Sequence, residues 1–194
     1  MRQLLSFFAL AICALSLSQF GSRLSAEEKV SKLVDDQYNF SVMVPAPWKK
    51  AEIADYKVPG KALAAFSGAE SASVVVFVQE PGMAFDPRFI VDVSARAMEK
   101  KLEAKVHAKD VKTVAGKKAM WLVVEGKGTG GAIDGQGSVQ TSQHWVAVPR
   151  EKDVLIVLLT SPTSRFEENS KSFEKVLKTL TIGGTQTEEQ SKSK

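Results

Sequence analysis

Two stretches of this chain, Val74–Val78 and Val154–Leu159, are apolar at every position, and that feature restricts the fold more than any other. A strand with one wet face alternates polar and apolar residues, whereas an unbroken apolar run of strand length is covered on both faces. The chain must therefore supply one layer above and one layer below a central sheet.

Two amphipathic helices are predicted to supply those layers. Asp86 followed by Pro87 is an N-cap with proline at the first helical position, and Val91, Ala95, Met98 and Leu102 then recur at helical spacing, with the helix ending near Lys105. Ser164 and Glu167 have the spacing of a capping box, Phe166, Phe173, Leu177 and Leu180 share a face, and Gly183 supplies a stop. Besides 73–79 and 154–160, strands are predicted over 40–44, 62–67, 119–126 and 138–148. The 40–44 segment alternates, as an edge or half-exposed strand does, and Pro45 and Pro47 end it before Trp48. Connections at 115–118 and 149–153 are short and turn-rich, so neighbouring strands should run antiparallel. The expected fold class is α+β: an antiparallel sheet flanked by helices on both faces, an α/β/α sandwich. No internal repeat points to a solenoid or propeller.

The first 26 residues read as a secretion signal. Arg2 provides the positive end, and Leu4–Leu17 is an apolar run broken only by Ser6, Cys13 and Ser16. That run is shorter than the roughly 20 residues that span a bilayer. Cleavage is expected after Ala26, with Ser18 as the alternative; Cys13, preceded by the large Ile12 and set inside the run, is read as incidental rather than lipidated. After the leader come a charged lead-in over 27–35, one domain over 36–182, and a tail over 183–194 that has only one charged or polar residue after another beyond its glycines and is expected to be disordered. The protein is thus expected to be extracytoplasmic, either periplasmic or secreted.

Charge and residue inventory narrow the chemistry. The whole chain is +4, and loss of Arg2 and Arg23 with the leader brings this to about +2, so a nucleic-acid partner is not expected. One Cys and two His argue against an internal disulfide and against a usual zinc site. No cofactor is expected.

One segment also resembles a known family. Tyr38-Asn39-Phe40-Ser41-Val42-Met43-Val44-Pro45-Ala46-Pro47-Trp48, an aromatic-small-aliphatic strand ending in proline and then tryptophan, resembles the opening of the PsbP-type superfamily. That group includes DcrB-like bacterial envelope proteins and a Ran-binding nuclear-import factor. The resemblance continues through the central helix, the Val114–Ala119 hairpin, the strands over 138–160 and the closing helix with Phe173, Val176 and Leu177. It implies a sandwich fold and a mostly non-catalytic role, and no functional residue transfers from it.

Four groups of residues are weighed as sites. Arg96, Lys100, Lys101, Lys105, Lys109, Lys112, Lys117 and Lys118 outnumber Glu99, Glu103 and Asp110; the first six of these cations make a candidate face for an anionic partner or phospholipid surface, against the alternative of a solvated helix face. The glycine-rich stretch 126–137 lacks the Gly-Lys-Ser/Thr ending and following helix of a phosphate loop, so it is read as a hairpin connection; Gly128, Gly130, Gly131 and Asp134 could contact a partner there. His144 lacks a nucleophile-elbow context and is read as packed or superficial, while His107 is placed by the helix C-terminus. Trp48, Trp121 and Trp145 are read as packing residues.

The leading expectation is an exported, non-enzymatic domain that docks on an envelope or membrane-associated protein assembly. A small-molecule or lipid carrier comes second and requires a sizeable apolar pocket between a helix and the sheet. A hydrolase with an unrecognised site comes third and requires converging polar groups with shifted pKa values.

Overall fold

The computed structural model describes residues 30–56, 58–80, 86–129, 132–133, 135 and 137–183. The expected leader and residues 184–194 of the expected tail lie outside them.

In chain order the elements are β1 (Ser31–Asp35), β2 (Phe40–Val44), β3 (Lys49–Ala51), β4 (Lys61–Ser67), β5 (Ser73–Gln79), α1 (Pro87–Leu102), β6 (Lys105–Val114), β7 (Lys117–Thr129), β8 (Ala132–Ile133), β9 (Val139–Pro149), β10 (Val154–Pro162), α2 (Phe166–Lys178) and β11 (Thr181–Ile182). The main sheet has the order β3-β4-β5-β10-β9-β7-β6, with β8 paired to β7; a small second sheet has the order β1-β2-β11. Every pairing is antiparallel.

The two unbroken apolar runs lie side by side inside the main sheet, Val157 opposite Val76 and Leu159 opposite Val74. Residues 73–78 and 154–161 are all buried, as double coverage demands. On one face, α2 and the small sheet pack Phe173, Val176 and Leu177 together with Phe40, Val42 and Val44 against Val74, Val76, Val157 and Leu159. On the other, α1 sets Val91 and Ala95 against Met120, Leu122 and Val124. The sandwich expected from the sequence is present, with a second sheet added to one outer layer.

That second sheet corrects one expectation and decides between the alternatives of another. Residues 31–35, assigned to a charged lead-in, form β1, which pairs with β2 from Ser31 opposite Val44 to Asp35 opposite Phe40. The turn between them is local: the Asp35 carboxylate accepts from the Tyr38 N–H at 2.9 Å, and Asn39 takes the left-handed conformation its side chain tolerates. β2 is accordingly the middle strand of three, and of the two arrangements its alternation allows, edge or half-exposed, it takes the half-exposed one, with only one of its faces covered. Arg150 fastens this sheet to the main one, donating to the Tyr38 carbonyl while paired with Asp153 at 2.6 Å.

The helix ends also differ from expectation. α1 begins as predicted, with the Asp86 carboxylate accepting from the Arg88 N–H at 2.9 Å and Pro87 at the start. It stops at Leu102, short of the expected end near Lys105, because Glu103 turns left-handed (φ 52°) and sends the chain into β6, a strand not among those predicted. α2 starts at Phe166 after a single 3₁₀ turn, and no side chain caps it; Glu167 pairs instead with Lys171 at 2.8 Å, so the Ser164–Glu167 capping box is absent. Gly183 follows β11 rather than ending the helix, and its N–H donates to the Asn39 carbonyl. The 115–118 turn holds: Ala115 and Gly116 both have positive φ, matching a two-residue hairpin turn.

Candidate functional site: a groove beside the first helix

A sheet seven strands wide extends about 29 Å across its strands, whereas one helix with its side chains covers only about 10–12 Å. A single helix cannot close such a face. α1 lies over β6 and β7 and barely reaches β9. At the other end, Tyr56 and Val58 from the β3–β4 connection, with Ala51 and Ala62, pack on the same face. Between these covers the middle strands are left to floor a groove of about 550 Å³.

The groove is largely hydrocarbon. Met120, Leu122, Trp145, Ala147, Val154 and Ile156 line its sheet side, and Ile90, Ser94, Ala97, Met98 and Leu102 its helix side. Trp145 is fixed at both ends: its indole N–H donates to the Gln143 side-chain oxygen at 3.0 Å, and its ring meets Phe77 edge-on at 6.2 Å between centroids. Gln79, Glu80 and Lys101, all exposed, bring the polar groups to the mouth. This volume and lining match pockets that hold small molecules with an apolar body.

The structure separates the six cations grouped from the sequence. Arg96, Lys100 and Lys101 lie on α1, but Lys105, Lys109 and Lys112 lie on β6, where successive side chains leave opposite faces. Lys109 turns to the α1 side and pairs with Asp92 at 2.8 Å. Lys112 turns to the α2 side, its ammonium 4.2 Å from the Trp121 ring centre. Lys105 stands opposite Glu125. The Glu125 carboxyl is held below the usual carboxylate range, chiefly by the Gln140 amide donating at 2.8 Å, with His107 at 2.6 Å and Lys105 adding to it. His107 is therefore a strand residue hydrogen-bonded to Glu125, not a helix-end residue. Gly128 lies in β7 opposite Val139, within the strand rather than in a loop. Gly130, Gly131 and Asp134 lie outside the described residues.

His144 is packed, as expected, and on the α2 side. It is buried between Trp121 (centroids 4.3 Å apart, near-perpendicular) and Phe173 (5.1 Å). Its Nδ1 is 3.4 Å from the Ser170 hydroxyl, and its Nε2 has no hydrogen-bond partner. Burial pushes its pKa down to about 3, with the Lys112 charge adding to the effect. Among the described residues no group of three or more His, Cys, Asp or Glu side chains could hold a metal ion. Trp48 and Trp121 are core residues, but Trp145 forms a groove wall. The groove was not assigned to residues from sequence. The available signal was the small Ser94 and Ala97 on the flank of α1, where a covered helix face would carry larger apolar groups.

No family model and no curated protein matches the chain. Solved structures do match. Cyanobacterial PsbP (CyanoP) from Synechocystis aligns with a TM-score of 0.54 at 11% identity over 80% of this chain and 93% of its own. LpqN of Mycobacterium tuberculosis, described as involved in cell envelope biogenesis, aligns at 0.54 and 10% identity over 81% and 92%. The Saccharomyces cerevisiae Ran-binding protein Mog1p aligns at 0.53 and 8% identity over 80% and 96%. These likenesses establish a PsbP-like, Mog1-like fold and leave activity to the site. No helix among the described residues is long and apolar enough to cross a membrane.

Proposed function

We propose that this chain is an exported, non-catalytic binding module whose working part is the groove beside α1, and that it takes a small molecule with an apolar body. The observation that carries this reading is the groove itself, about 550 Å³ with a hydrocarbon floor and its charged groups at the mouth. It favours the carrier that ranked second from sequence over the docking domain that ranked first. The leader expected over 1–26 supports export, and LpqN, involved in cell envelope biogenesis, has a similar fold.

A titration of the full chain with the apolar fluorophore anilinonaphthalene sulfonate tests it. One saturable site is expected, together with a change in Trp145 emission. Ala97→Trp, on an exposed helix position that lines the groove, should weaken the site at least about tenfold, the effect of filling a pocket of this size. Equal binding by the wild type and Ala97→Trp would remove the groove from the account. Docking on a protein assembly is the second reading, favoured by Mog1p being Ran-binding on the same fold; a protein captured stoichiometrically from envelope extract, and retained by Ala97→Trp, would place that reading first.

A further inference from the structure

We infer that the outward face of α1 docks on an anionic phospholipid surface, with Phe89 and Val93 entering the interface and Arg96 and Lys100 facing the headgroups. Phe89 is 60% exposed and Val93 47%, the two one helical turn apart. At 100° per residue, Arg96 and Lys100 continue the same stripe beyond Val93, and both are exposed. The acids of α1 lie to one side of this stripe: Asp92 is on the flank toward β6, where it holds Lys109 and also feels the Arg96 charge, and Glu99, seven residues on, shares that flank. The outer stripe therefore joins an exposed aromatic and aliphatic pair to two cations with no carboxylate between them. That is the composition of an interfacial helix face.

The size of the patch selects the partner. A stable protein interface covers about 800 Å² per partner, far more than two apolar and two cationic side chains provide. A bilayer demands no matching shape; each cation strengthens attachment to it roughly fivefold and the inserted side chains add to this. The inference does not depend on what occupies the groove, since none of Phe89, Val93, Arg96 and Lys100 lines it.

Co-sedimentation of the full chain with phosphatidylcholine vesicles, pure or containing about one-third phosphatidylglycerol, tests it at low salt. Every variant carries the same N-terminal segment, so its contribution is common to all of them, and each is compared with wild type on both kinds of vesicle. Wild type should bind the anionic vesicles better than the neutral ones. Arg96→Glu with Lys100→Glu should lose about tenfold or more, and Phe89→Ser with Val93→Ser a comparable amount. Lys49→Glu with Lys50→Glu, on exposed positions of β3 at the far edge of the sheet, makes the same change in net charge and should lose no more than about twofold. All four positions on α1 are exposed, and unchanged melting temperatures would verify folding. Phe89→Trp gives an independent readout, its emission moving to the blue on anionic vesicles. The inference is overturned by wild-type binding that ignores lipid charge, or by an equal loss in the β3 control. Absence of any vesicle binding also overturns it and leaves the stripe to a protein partner.

Discussion

The two faces of the main sheet are built on different terms. On the α2 side, a helix and a three-stranded sheet share the coverage, and the side chains between them are sealed: Phe173, Val74 and Val146 have no exposed surface. On the α1 side, one helix and a short connection leave a groove over the middle strands, and α1 buries only Val91 and Ala95 fully. The sequence of the sheet does not create this difference, since β5 and β10 are apolar toward both layers. It comes from the width of what is laid over each face. Packing is complete on the α2 face and leaves a groove on the α1 face.

The largest expected effect contrasts the helices directly. Phe173→Ala should destabilise the fold by about 3–5 kcal/mol, because nothing at a sealed site can collapse into the space. Met98→Ala, on a half-buried position beside the groove, should cost about 1–2 kcal/mol, since part of its surface already faces open space. Urea unfolding of both variants measures this, and equal losses would mean that the groove is as tightly packed as the opposite face.

Acidification probes the sealed side next. Above pH 6.5 the His144 ring is neutral in the folded and unfolded chain alike and contributes no pH dependence. Between pH 6.5 and about 3 the unfolded chain takes up a proton that the folded chain refuses, so stability falls on acidification by about 1.4 kcal/mol per pH unit. His144→Phe keeps a ring among Trp121 and Phe173 and removes that contribution. Its stability should fall less steeply than wild type from pH 6 to pH 4; parallel curves would show that water reaches the ring.

Enlarging an alanine on each side sharpens the same contrast with a smaller effect. Ala119 and Ala147 are both buried strand residues, the first under the α2 layer and the second on the groove floor. Ala119→Leu should cost about 1–3 kcal/mol by overpacking, whereas Ala147→Leu should cost less than about 1 kcal/mol because its new atoms enter the groove. Thermal unfolding distinguishes them. Ala147→Leu should also weaken fluorophore binding, which Ala119→Leu should leave unchanged.

What could be read from the sequence divides along physical lines. Val74–Val78 and Val154–Leu159 announced two covered faces because burial on both sides is written in every residue of a run. The start of α1 was legible because Asp86 and Pro87 act within one turn. β6 was not: it is an edge strand carrying Lys105, Lys109 and Lys112, its partner is β7, and the turn before it uses Glu103 rather than glycine. β1 was hidden among charges in the same way, with Leu33 its main inward apolar contact. The basic cluster looked continuous because adjacency in sequence was mistaken for one surface, and the helix-to-strand change splits it between faces. The groove is a shortage of covering atoms, so no residue encodes it singly.

The smallest expected effect concerns how each helix is held. α1 buries little and is fixed at its start by a local device, the Asp86 carboxylate on the Arg88 N–H. α2 has no side-chain cap and is held by Phe173, Val176 and Leu177. Asp86→Ala should therefore cost about 1 kcal/mol, the usual value of an N-cap. Ser164→Ala, at an exposed position ahead of a helix that it does not cap, should stay within about 0.5 kcal/mol of wild type. Hydrogen exchange gives the same contrast locally: the Asp86 variant should speed exchange in the first turns of α1, and the Ser164 variant should leave α2 protected. A cost at Ser164 equal to that at Asp86 would mean that α2, too, depends on its first turn, and the division between a locally capped helix and a packed one would fail.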